Sequence, residues 1–136
     1  MADLPITENP QFSETMEALT PQDRAEPQTF DIRYQKLLDN DNYLKKKIMG
    51  RKNIVFLAAG WTGEGSFKQT VSVEGITAED VPVPAFVDDG GNEAESKAKK
   101  KAYGCITYFE SSNGTVTAVC NYKKPEADCT IELKGV

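Results

Sequence analysis

The feature that most limits how this chain can fold is a change of hydrophobic period near Gly50. Residues 29–50, TFDIRYQKLLDNDNYLKKKIMG, space their apolar side chains as a helix does, and from Lys52 onward the repeat falls to two. Phe30, Tyr34, Leu37, Leu44 and Ile48 fall on one line, with Asp41 completing the 4-3-4-3-4 steps. A narrow apolar seam of this kind, with one polar interruption, is the spacing of a helix that packs on another helix. A competing register places Asn40 on the seam instead of Asp41. Thr29 is a suitable N-cap, Asp31 complements the positive end of the helix dipole, Lys45, Lys46 and Lys47 the negative end, and Gly50 is a natural stop. At about 1.5 Å per residue such a helix runs roughly 30 Å. The seam can pack on the domain that follows it or on copies of itself. The chain offers no second long helix for an intramolecular bundle, and a polar residue within a seam fixes register, so self-association is expected.

Beyond the helix the pattern is that of short strands. Residues 53–59, NIVFLAA, are a continuous apolar run of strand length and predict a buried strand. The glycine-rich GWTGEG of residues 60–65 reads as a turn. Residues 66–74 then alternate, with Phe67, Gln69, Val71 and Val73 on one face and Lys68, Thr70 and Ser72 on the other. Residues 81–87 hold two prolines and so predict an edge strand or an extended connection. Residues 92–103 predict a second helix capped by Asn92, with Glu93 and Glu95 in its first turn, Ala94, Ala98 and Ala102 as a small-residue stripe, and Gly104 as its stop. Strands over 105–110, 115–122 and 129–134 follow, the first two joined by the hairpin signal Asn113-Gly114. Parity puts Cys105, Thr107 and Phe109 on one face with Val116, Ala118, Cys120 and Tyr122, and places all three cysteines on inward faces.

The predicted architecture is α+β. Residues 1–29 form an arm that is either extended or carries one short helix, capped by Asn9, with Phe12, Met16 and Leu19 at helical spacing and Pro21 ending it. Residues 30–50 form a coiled-coil-like oligomerisation helix. Residues 52–136 form a mainly antiparallel, β-sandwich-like domain with one helix packed on it.

What the chain can do chemically is narrowed by what it lacks. It has no histidine in 136 residues, which excludes Ser-His-Asp triads, Cys-His dyads and histidine metal sites. A net charge of −5 argues against a nucleic-acid partner. Three cysteines without a CxxC are neither a disulfide framework nor a zinc site; they read as core residues in a reducing cytosol. A four-residue hairpin loop would set Cys105 opposite Cys120, where oxidation could link them. No run reaches the ~20 apolar residues of a membrane span, and MADLPITENPQF has neither a basic nor an apolar signal-peptide region, so a soluble chain made in the cytoplasm is expected.

GWTGEG lacks the Lys-Ser/Thr ending and following helix of a phosphate loop, which leaves Trp61 either to plug one end of the core or to serve as a contact. Glu79-Asp80 and Asp88-Asp89 lack calcium-loop spacing and read as acidic turns. Lys97, Lys99, Lys100 and Lys101 form a ridge with only Tyr103 as an aromatic neighbour, and read as a solvated helix end. No catalytic set, cofactor or metal ion is expected.

Several of these stretches carry a resemblance. Gly60-Trp61, the strand Gln69-Thr70-Val71-Ser72-Val73, the turn Gly75-Ile76-Thr77-Ala78, the turn Lys124-Pro125 and the closing Ile131-Glu132-Leu133-Lys134 resemble a small C-terminal β-rich domain of tail-associated proteins from phages and prophages of Gram-positive gut bacteria. LLDNDNYLKKKI looks like the helix that gathers fibre or baseplate subunits ahead of such domains. The resemblance spans about residues 30–136 and brings no catalytic residues. It implies a virion structural protein of the tail, a homotrimer by preference, whose partners are other tail proteins and a host receptor or glycan. Phe30, Tyr34, Leu37, Leu44 and Ile48 would carry assembly. Trp61, Phe67 and Tyr103, with Tyr108 or Tyr122, are the aromatics that could stack on a sugar.

Overall fold

A computed structural model describes residues 3–136. The chain divides into two compact units, one ending at Ile48 and one running from Met49 to Val136.

The first unit is built on helix α1, Pro27–Met49. It starts earlier than the Thr29 cap predicts, because Pro27 is pre-set for the first helical position and its missing N–H costs nothing there. Asp31 therefore lies beyond the first turn, which holds no acidic residue, and Lys46 and Lys47 fill the last turn. Gly50 takes no left-handed conformation; the backbone passes directly into a strand at Arg51. Residues 3–26 form no helix. Their backbone is bonded to α1 side chains instead. The Ser13 amide donates to Asn40 Oδ1 at 2.7 Å and Asn40 Nδ2 donates to the Ser13 carbonyl at 2.9 Å. Gln35 Nε2 donates to the Pro5 carbonyl at 3.0 Å, Arg33 Nε to that of Glu17 at 3.0 Å, and Lys46 Nζ to that of Glu8. The Phe12 and Tyr43 rings meet at 5.7 Å. Carbonyls bonded to α1 side chains are satisfied without a helix of their own, so the short-helix alternative gives way to the extended one.

The second unit holds strands β1 (Arg51–Phe56), β2 (Phe67–Ser72) and β3 (Val83–Val87), helix α2 (Glu93–Gly104), and strands β4 (Tyr108–Ser112), β5 (Thr115–Cys120) and β6 (Cys129–Lys134). They make two antiparallel three-stranded sheets, ordered β1-β6-β3 and β2-β5-β4. One core joins them. Ile54, Phe56, Ile131 and Leu133 from the first sheet pack with Val116, Ala118 and Cys120 from the second, and Trp61, Val73, Ile76 and Ala102 complete the cluster. Two features of the predicted strands change. The run after Asn53 is buried on one face only, with Val55 and Leu57 exposed, since β1 is an edge strand whose other side meets no layer. The strand predicted from Cys105 starts at Tyr108, and the one predicted through Tyr122 ends at Cys120.

Cys105 is instead the C-cap of α2, its amide bonded to the Ala102 and Tyr103 carbonyls, with Gly104 the last helical residue rather than the stop. Asn92 caps α2 as predicted, in a reciprocal pair with Glu95: the Glu95 amide donates to Asn92 Oδ1 and the Asn92 amide to Glu95 Oε2, each at 3.0 Å. The hairpin loop has two residues, with Ser112 facing Thr115 and Gly114 at φ +79°. β3 with Pro84 is an edge strand, as its prolines require.

Candidate functional site

Helix α1 has no buried residue. Along its predicted seam Tyr34 is 56% exposed, Leu37 48%, Leu44 45% and Ile48 76%, while Phe30 is half-buried. At about 100° of turn per residue these positions stay within one stripe. The arm engages Arg33, Gln35, Asn40 and Lys46, none of which lies on that stripe. Asn40 is the decisive residue: both ends of its amide are taken by Ser13, so the register that would put it on the seam is closed. The remaining register runs through Asp41, which is exposed. A line of large apolar side chains left to solvent beside a satisfied polar face is an association surface in waiting.

The aromatic candidates of the second unit go elsewhere. Trp61 is 4% exposed and stacks on Phe56 at 5.8 Å, so it plugs the core. Phe67 is half-buried against the same cluster, and Tyr103 sets its ring 5.8 Å from Phe86. No ring contact joins any two of Trp61, Phe67 and Tyr103 among the described residues. Tyr108 and Tyr122 are the exposed rings, at 41% and 89%; Tyr122 thus leaves the inward face assigned to it.

The acidic pairs serve their own loops. Asp80 Oδ2 accepts from the Thr77 amide at 2.8 Å, and Asp88 Oδ1 accepts from Ser96 Oγ at 3.0 Å. Asp89 accepts from Lys99 Nζ at 2.5 Å and from Thr130 Oγ1 at 2.6 Å. The Lys99 hydrogen bond holds the Asp89 carboxyl below the usual carboxylate range, and Asp89 in turn raises Lys99. The lysine ridge is partly neutralised, since Lys97 pairs with Glu93 at 2.6 Å and Lys99 with Asp89. Among the described residues no three Cys, Asp or Glu side chains converge as a metal ion would need.

The cysteines separate into two kinds. Cys120 and Cys129 are buried, and desolvation pushes each thiol up to about 11. Cys105 is half-exposed and lines a cavity of about 240 Å³ with Ala98, Lys101, Ala102, Lys123, Lys124, Glu126 and Ala127. This cavity is absent from the sequence reading. Its α2 half is legible in the spacing of Ala98, Lys101, Ala102 and Cys105, but residues 123–127 reach it only through the tertiary fold. All three thiols are free, and the two-residue hairpin loop sets Thr107, not Cys105, beside the end of β5: its amide bonds the Val119 carbonyl at 2.7 Å.

No protein-family model, curated protein or solved structure matches the chain.

Proposed function

We propose that this protein is a structural subunit of a phage or prophage tail, a fibre or baseplate accessory that works by self-association and protein–protein contacts. The observation that carries the assembly part is the stripe of Tyr34, Leu37, Leu44 and Ile48, left exposed while the arm engages other side chains of α1. In this reading α1 forms a coiled coil with its copies, trimeric by preference, and the two sheets behave as a small sandwich presented by that stalk. Each fully buried Leu or Ile contributes about 1.5–3 kcal/mol, so four such positions per chain suffice to hold copies together at micromolar concentration. The virion origin rests on the resemblance of residues 30–136 alone.

Size-exclusion chromatography with light scattering tests the assembly. The full chain at micromolar concentration is expected to run as an oligomer, and Leu37→Asp to return it to monomer with an unchanged circular dichroism spectrum. A monomeric wild-type chain overturns the proposal. A sugar-stacking role has to pass through Tyr108 and Tyr122, because both faces of Trp61 are enclosed.

A further inference from the structure

Cys105 occupies a different setting from its two relatives. Its Sγ donates to the Lys101 carbonyl at 3.3 Å, one helical turn back, which fixes the thiol at the C-terminal end of α2. Around it the cavity combines apolar alanine walls with Lys101, Lys123 and Lys124. Lys123 is shared with Glu126 at 3.5 Å, and Glu126 is the single acid on the cavity. In a chain of net charge −5, three cations around one accessible thiol make a local reversal of sign. Partially exposed thiols in electropositive surroundings are the ones that undergo disulfide exchange, whereas buried thiols stay inert.

We propose that Cys105 is a thiolation site for small anionic disulfides of the glutathione class, with Lys101 and Lys124 receiving the carboxylates of the incoming molecule. The reaction needs no other reagent. The Cys105 sulfur, as thiolate, attacks one sulfur of the disulfide R–S–S–R in line with its S–S bond. A Cys105–S–S–R bond forms as the original S–S bond breaks. Cys105 is oxidised, the departing sulfur is reduced to R–S⁻, and the proton released by Cys105 ends on that thiolate or on water. The result is a reversible cap that a thiol removes by the reverse exchange. Cys120 and Cys129, enclosed by the core, have no path to the same reagent.

The test uses the full wild-type chain and two probes of opposite charge, oxidised glutathione and cystamine, followed by intact mass and peptide mapping. One equivalent of glutathione is expected on Cys105, none on Cys120 or Cys129, with a rate at low salt about tenfold above that of cystamine. Lys101→Glu with Lys124→Glu should bring the two rates together, while the mixed disulfide remains removable by dithiothreitol. Equal rates for the two probes on the wild-type chain, or glutathione placed first on Cys120 or Cys129, overturn the proposal. So does a chain that takes up no glutathione.

Discussion

Asp89 is where single side chains do most to tie one part of the second unit to another. It follows β3, accepts from Lys99 on α2 and from Thr130 in β6, and so joins three elements through one carboxylate. Its depressed pKa means that its contribution is fully present above the unfolded carboxylate value, about 3.9, and is lost as pH falls through the lower folded value. Lys99 is raised, so its share is present below about 10.4 and is lost as pH climbs through its higher folded value. The melting temperature is therefore expected to be flat across neutrality and to drop at both extremes. Asp89→Asn should reduce the acid drop without abolishing it, because the pair sits at the surface and contributes little; differential scanning fluorimetry from pH 3 to 11 reads both limbs. Thr130, buried at 8% exposure, keeps a hydroxyl partner in the Asn variant, which separates loss of charge from loss of the hydrogen bond.

Among the elements, those dictated by local chemistry were legible from residues alone. β6 spans Cys129–Lys134 as its alternation predicts, the Asn113-Gly114 hairpin turns where it should, and Asn92 caps α2. What could not be read was decided by contacts distant in sequence. Residues 3–26 hold Phe12, Met16 and Leu19 at helical spacing, yet Asn40 and Arg33 bond their backbone and leave them extended. Cys105 has the parity of an inward strand residue, yet α2 runs on through Gly104 and delivers it to the cavity. The stripe on α1 was visible because its period is intrinsic; that Asn40 is excluded from it was not, since the arm decides that. Asn40→Ala removes two hydrogen bonds worth about 1 kcal/mol each. Trypsin is expected to cleave at Arg24 several-fold faster in that variant, whereas Asp41→Ala, off the arm, should leave the rate unchanged.

At the level of the whole molecule, stability and assembly reside in different places. The core belongs to the unit from Met49 to Val136, and α1 adds no buried residue. A fragment of residues 49–136 is therefore expected to unfold cooperatively within a few degrees of the full chain and to remain monomeric at concentrations where the full chain associates. Denaturation followed by Trp61 fluorescence beside light scattering reads both properties; an oligomeric fragment would move the association surface to the sheets.

The pairing of β1 with β6 has a mechanical meaning. Arg51 faces Lys134, and the Gly135 amide donates to the Gly50 carbonyl at 2.9 Å, so the two extremities of the β unit leave side by side from one end of a single ladder. Tension applied between them would peel that ladder rung by rung, instead of shearing its six pairs at once. Hydrogen bonds broken in sequence resist far less than the same bonds broken together. A tether running through the β unit would thus act as a fuse, parting under modest pull and closing again once the pull ends.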